Sequence, residues 1–311
     1  MTTTSATPTT TTIVTQGRRQ PGQLRSRRRI DPLYYWFLVP TLILFTLAIT
    51  VPAVIGIFFS FTNSIGLGEW KFIGLTNYIA LFSDPLILQS YLFTFGFSAV
   101  TVVAVNIIAL LLAVALTSRI RLKTPLRTIF VIPMVISAII ISFVFRFLFS
   151  NSLPAFGTIS GITWLQESIL ANPDWAWLAI VIVTAWQAIP GALLIYIAGI
   201  LSIPGEVYEA ADLDGASKFQ QLTRITVPLM VGYIVINVIL GFKGFLNAYD
   251  IIKGLTGGGP GTSTYSIAMT VISGLTTGDY AYQMANATVF FILTILIAVL
   301  QLSITRGRSA L

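Results

Sequence analysis

Cysteine and histidine are both missing from the 311 residues. Without thiols there is no disulfide framework, thiol nucleophile or cysteine metal site. Without imidazole, the common serine-hydrolase, zinc-protease and proton-relay chemistries lose their usual base or ligand. Charge is the next shortage, at 9% of residues against about 25% in soluble domains. No glycine-rich loop ends in Gly-Lys-Ser/Thr, so any nucleotide must be handled by another chain. Acids are almost absent inside the apolar runs, where ion-coupled carriers usually keep carboxylates or other titratable relays. Nor does the sequence repeat itself, as the inverted halves of many secondary carriers do.

What remains is apolar: 55% of residues are hydrophobic and the mean hydropathy is +0.86. About 20 apolar residues cross a bilayer as a helix, and six such runs occur, over 34–61, 93–117, 129–149, 175–201, 227–246 and 285–304. The expected fold is therefore all-α and polytopic, with about six transmembrane helices. The first run is too long for a signal-peptide core. Residues 62–85 and 150–174 form outer segments, with residues 78–82 at the membrane interface and Trp164, Trp175 and Trp177 as interface anchors. Leu255 to Pro260 cannot be regular helix, and 264–280 reads as an extracytoplasmic amphipathic piece. Residues 1–30 form a basic tail, Thr/Ser-rich and without periodicity over 1–17; residues 31–305 form the membrane domain and 306–311 a second tail.

Fourteen of the eighteen basic residues flank one side of this topology. Six lie between Arg18 and Arg29; Arg119, Arg121, Lys123 and Arg127 form a second group. Lys218, Arg224, Arg306 and Arg308 complete the set. That bias places both termini in the cytoplasm of a prokaryotic cell membrane. It also assigns the net charge of +7 to lipid contact, with no nucleic-acid partner.

Four of the eleven carboxylates, Glu206, Glu209, Asp212 and Asp214, fall in one polar hinge between two apolar runs. Pro204 suits a first helical turn, and the acids near it suit the positive end of a helix. Gly215 provides a left-handed stop, and Ser217-Lys218-Phe219-Gln220 reads as a capping box opening a second helix. Ala210 and Ala211 carry little side chain, so a partner could approach the backbone there. By composition alone, the hinge is either an ordinary loop or a docking element.

Its spacing resembles a known pattern. Glu209-Ala210-Ala211, then Gly215, then Ile225-Thr226-Val227-Pro228 is similar to the EAA loop (residues 202–228 here) of binding-protein-dependent ABC importer permeases. Val227 stands where the family usually has Leu. The run Glu209 to Leu229 is most similar to the carbohydrate branch, of maltose-permease type, and Leu255 to Pro260 with Thr264 resembles the branch's extracytoplasmic signature. The resemblance covers most of residues 33–305 and implies the type I importer permease fold. It also implies ATPase coupling through Glu209, Ala210, Ala211, Asp214 and Gly215, with no enzyme activity in this chain. Implied partners are a second homologous permease, two copies of an ATP-binding subunit that hold ATP and Mg, an extracytoplasmic solute-binding protein, a carbohydrate and membrane lipid.

Polar residues within the spans are few: Asn106, Ser137, Ser142, Thr184, Trp186, Gln187, Asn237 and Asn247. Inter-helix hydrogen bonding is their ordinary use. The group before Pro190 is different, because that proline frees a carbonyl and Gly191 admits close approach, so main-chain groups could face a watery cavity. Trp186 offers a flat apolar face on which a sugar ring stacks. Thr184-Ala185-Trp186-Gln187-Ala188-Ile189-Pro190-Gly191 is similar to a sugar-contacting stretch of the maltose permeases, which implies Thr184, Gln187, Ala188, Gly191 and Asn247 along the pathway. A neutral solute, an oligosaccharide or related polyol, fits such a pathway best. The rival reading is an ion-coupled secondary carrier of a small polar solute.

Overall fold

The computed structural model describes residues 32–118 and 123–306. The arginines of the first tail, Arg119, Arg121 and the last residues of the chain lie outside that range. Two units are distinguished, residues 1–52 and 53–311. In the first, the described part is helix α1 (Pro32–Phe45), with Pro40 inside it, followed by a π-helical turn, Thr46–Thr50. Helix α2 (Val51–Phe59) starts at the boundary.

Beyond α2, Asn77 closes the first connection by donating from Nδ2 to the carbonyls of Ser60 and Thr62, both at 2.8 Å. A short helix α3 (Thr76–Leu81) follows. Helix α4 (Pro85–Thr117) is 33 residues long, about 50 Å at 1.5 Å per residue. It starts earlier than the apolar run suggested, because Asp84 caps it by accepting from the amides of Leu86 and Ile87 and proline occupies its first turn.

The expected third span is broken. Helix α5 (Lys123–Val135) ends at Ile136 and Ser137, and helix α6 (Ala138–Phe147) opens from an extended Ser137. Pro133 removes one donor just before the break. After α6 the chain stays helical through a π turn into α7 (Leu153–Ser160), so the outer segment expected over 150–174 opens as helix. Two 3-10 turns lead to α8 (Ala176–Leu201), which continues unbroken through Pro190. The polar hinge forms α9 (Gly205–Leu213) and α10 (Lys218–Gln221).

The expected fifth span is bent. A π-helical segment (Leu222–Thr226) runs into α11 (Val227–Leu229), and α12 (Val231–Leu246) departs at 68° beyond Met230. Pro228 cannot donate to the preceding turn, which supplies a cause for the bend. Helices α13 (Asp250–Leu255), α14 (Ile267–Thr277) and α15 (Tyr280–Arg306) complete the described chain. Among the described residues, five helices are long and apolar enough to cross a membrane, and six if the bent pair counts as one. About six spans were expected.

Among the described residues the largest of three buried apolar clusters lies where α4, α6, α8, α12, α13 and α14 meet, with Phe97, Ile141, Val183, Phe245, Ile252 and Met269 inside it. Helix α13 crosses α6 so closely that a Cβ at Gly254 would overlap Ser142 Oγ. The segment 264–280, expected as an extracytoplasmic amphipathic piece, forms α14 and packs into the fold. Ile267, Met269, Thr270 and Gly274 of α14 are buried, and the Ile267 amide donates to Thr94 Oγ1 of α4 at 3.0 Å. Buried Asn286 of α15 donates to Thr270 Oγ1 at 3.0 Å and accepts from Tyr91 at 3.1 Å. Buried polar groups are satisfied this way or they destabilise the fold, so α14 is bolted between α4 and α15.

Candidate functional site

The hinge after α8 is fixed locally by several devices. Pro204 takes an extended conformation before α9, one position earlier than the first helical turn. At the other end, the Ala216 amide donates to Ala211 O at 2.9 Å, and the Gly215 amide to Asp212 O at 3.2 Å. With Gly215 at φ +73°, this is the Schellman stop, which needs a left-handed residue at that point. One residue on, Ser217 Oγ accepts from the Gln220 amide at 3.3 Å while Gln220 Oε1 accepts from the Ser217 amide at 2.8 Å. The capping box is therefore closed in both directions.

Side chains then tie α9 to α10 and the π-helical segment beyond it. Asp212 accepts from Lys218 Nζ at 2.9 Å and also from Gln221 Nε2. Gln221, itself buried, donates to Ala216 O at 3.1 Å. Tyr208 and Thr226 hydroxyls lie 2.9 Å apart, joining α9 to the π-helical segment. An exposed ion pair alone contributes only about 0.2–1 kcal/mol. Here it sits within a set of neutral hydrogen bonds and two caps, so α9 is held as a rigid projection.

That projection presents Glu206, Glu209, Ala210, Asp214 and Gly215 to solvent. Ala211 differs: it is 7% exposed and faces its own chain. Close approach at this position is made from within, because Ala211 O is the acceptor that closes the Schellman turn. Two apolar side chains escaped the sequence reading. Leu213 is 90% exposed and Phe219 is 73% exposed, on either side of the Gly215 turn. Their signal was present as two large apolar residues in an otherwise polar hinge, although only the turn geometry reveals that both point outward.

Most of the second candidate set lies on α8, about three to five turns before its end at Leu201. Thr184 is buried, and its Oγ1 has no hydrogen-bond partner among the described residues. Trp186 is 39% exposed and packs at 5.3 Å between ring centroids, inclined 58°, on Phe145 of α6. Gln187 donates from Nε2 to Ile136 O at 2.9 Å, so it satisfies the carbonyl left over at the α5–α6 break. Ala188 packs against the central cluster, and a Cβ at Gly191 would come 4.0 Å from Met134 Sδ. Asn247 is exposed at the end of α12 and spends its amide on Lys243 O at 2.9 Å. Its neighbours Phe245 and Ala248 reach the cluster that holds Val183, Ala185 and Ala188.

The remaining polar span residues serve packing. Tyr196 donates to Asn106 Oδ1, Asn106 donates to Val102 O at 2.8 Å, and Asn237 donates to Ala192 O at 3.2 Å. Ser142 Oγ bonds within its own helix to Ile139 O at 2.7 Å, and Ser137 starts α6. Among the described residues, no group of His, Cys, Asp and Glu could hold a metal ion.

The family model for binding-protein-dependent transport system inner membrane components matches residues 106–308. The chain is 33% identical over 283 residues to the multiple sugar-binding transport system permease protein of Streptococcus mutans, covering 90% of this chain and 98% of that one. It is 31% identical over 278 residues to a probable starch degradation products transport system permease protein of Thermoanaerobacterium thermosulfurigenes, covering 89% and 95% respectively. A crystal structure of a bacterial ABC transporter for the acidic polysaccharide alginate includes a chain of the same fold, with a TM-score of 0.79, 22% identity and coverage of 89% and 96%.

Proposed function

This chain belongs to the family of binding-protein-dependent transport system inner membrane components, and on that premise we propose that it is a permease subunit of an ATP-driven importer of saccharides. The chain is a transport subunit of the inner membrane, without enzyme activity of its own. Its relatives include permeases named for multiple sugars, trehalose and maltose, and starch products, which supports an oligosaccharide or related polyol as the solute.

One observation carries the reading: a braced, acid-bearing helix stands between two membrane segments with its polar and apolar groups turned outward. In our reading, α9 docks in a cleft of a cytoplasmic ATPase, with Glu209, Ala210, Asp214 and Gly215 at the contact. Ala211 supports the helix from behind. Leu213 and Phe219 supply the apolar surface that such a contact buries, worth about 1.5–3 kcal/mol for each fully covered side chain. ATP and Mg belong to that partner, present in two copies. A second permease and a solute-binding protein complete the assembly, and both termini of this chain lie in the cytoplasm.

Within the membrane, Thr184, Trp186, Gln187, Ala188, Gly191 and Asn247 mark the pathway. Thr184 has an unused hydroxyl and Trp186 a half-open ring face, whereas Gln187 and Asn247 each commit one N–H within the protein and keep a second N–H and an acceptor oxygen for a solute. ATP drives the change of access, and a full reversal of a two-state population needs about 5.5 kcal/mol of differential binding. The test is uptake into vesicles containing the assembled complex. Labelled oligosaccharide enters only with ATP and the binding protein, and uptake that follows an ion gradient without ATP overturns the reading in favour of a secondary carrier.

A further inference from the structure

We propose that the cavity at the end of α8 remote from α9 binds one phospholipid of the adjoining leaflet, with an amine-bearing headgroup. The cavity measures about 840 Å³, within the roughly 300–1,000 Å³ of small-molecule sites. Helix α8 has 26 residues, about 39 Å at 1.5 Å per residue, so this site and α9 lie at opposite ends of a bilayer-length helix. The inference rests on the membrane setting of the chain and on none of the coupling or pathway assignments.

The polar residues of the lining are confined to one stretch, which also contributes the apolar Leu165 and Ile169. Glu167, Ser168 and Asn172 all come from the short turns that precede α8. Leu178 and Ile182 lie three and seven residues beyond Trp175, about 4.5 and 10.5 Å deeper, and Phe149 faces the same space. Ile182 is 46% exposed at that depth, so the apolar end is not sealed by the protein. Trp164 and Trp175 flank the cavity, 78% and 54% exposed. Tryptophans in this position mark the headgroup level of a bilayer.

The chemistry favours a lipid over a saccharide. Ser168 Oγ already accepts from the Leu170 amide at 3.3 Å, and Asn172 Oδ1 from the Asp174 amide at 2.8 Å. Both keep their donor hydrogens, but only three of the eleven lining residues are polar, and a wall so largely apolar suits acyl chains better than a ligand rich in hydroxyls. The exposed Glu167 carboxylate can accept from the N–H groups of a primary ammonium, which a trimethylated ammonium lacks, and it repels an anionic headgroup. The rim is also built to hold its shape. A Cβ at Gly157 would come 2.7 Å from the Leu165 carbonyl carbon and 2.8 Å from the Gln166 nitrogen, so α7 lies directly against the turn that carries Glu167.

The experiment is native mass spectrometry of the full chain, released from nanodiscs holding equal amounts of phosphatidylethanolamine, phosphatidylcholine and phosphatidylglycerol with identical acyl chains. One phosphatidylethanolamine is expected to stay with each chain, at about threefold preference over the others, as a solvent-accessible ion pair allows. Glu167→Gln removes the preference but keeps a bound lipid. Ile182→Trp fills the apolar end and loses the lipid. Equal retention of all three lipids by the unaltered chain overturns the proposal, as does full retention by a folded Ile182→Trp. Displacement of the lipid by oligosaccharide alone makes the cavity a saccharide site instead and overturns it equally.

Discussion

Glu209→Lys is expected to reduce ATP-driven saccharide uptake by at least about tenfold while leaving the chain folded and inserted. The fold does not depend on this carboxylate. Helix α9 is held by the Schellman turn at Gly215, the Ser217–Gln220 box and the Asp212 contacts with Lys218 and Gln221, and Glu209 is exposed and takes part in none of these bonds. A reversed charge at a docking surface sets like charges or a mismatched pair against the partner, which costs several kcal/mol. Each 1.4 kcal/mol is a factor of ten in association. Uptake and ATP hydrolysis stimulated by the loaded binding protein should fall together, whereas saccharide affinity of the binding protein alone should not change. Wild-type uptake by Glu209→Lys would remove Glu209 from the interface.

Gly254→Leu is expected to cost about 3 kcal/mol or more of stability. A Cβ at this position would overlap Ser142 Oγ and lie 2.6 Å from Ser142 Cβ. Rotating the serine hydroxyl does not relieve the second contact, so α6 and α13 must separate. Overpacking a tight core costs about 1–3 kcal/mol, occasionally more, and here the crossing lies within the cluster that orders α4, α8 and α12. Gly254→Ala with Ser142→Gly should recover much of the loss, because the second change removes the obstructing side chain. A thermal-stability series on the purified chain measures both. Wild-type stability for Gly254→Leu would show that the two helices do not meet at this crossing.

The hinge was legible in the sequence because its determinants are local. Gly215 needs a left-handed backbone, and a Ser with Gln three residues later closes a box regardless of what packs nearby. The apolar runs likewise gave the number of membrane helices. Their interruptions were harder to read, since one proline has different outcomes in different surroundings. Pro190 passes through α8 without a break, Pro133 precedes the gap at Ile136 and Ser137, and Pro228 precedes the 68° bend. Which outcome occurs depends on neighbours, as when Gln187, distant in sequence, satisfies the Ile136 carbonyl.

Burial on a given helix face was also beyond periodicity alone. The α14 segment read only as an amphipathic piece, and its partners on α4 and α15 engage it through Thr94, Thr270 and Asn286. Ala210 and Ala211 are adjacent and chemically identical, but only Ala211 turns inward. The lateral cavity joins residues from α7, two 3-10 turns and α8, and no single stretch announces it.

The absence of cysteine allows a direct test of the docking surface, because Leu213→Cys creates the chain's sole thiol. In membranes containing the assembled transporter, that thiol should cross-link to the ATPase subunit and be shielded from a membrane-impermeant maleimide added to the extracytoplasmic face. Labelling of position 213 from that face, with no cross-link to the ATPase, would contradict the account.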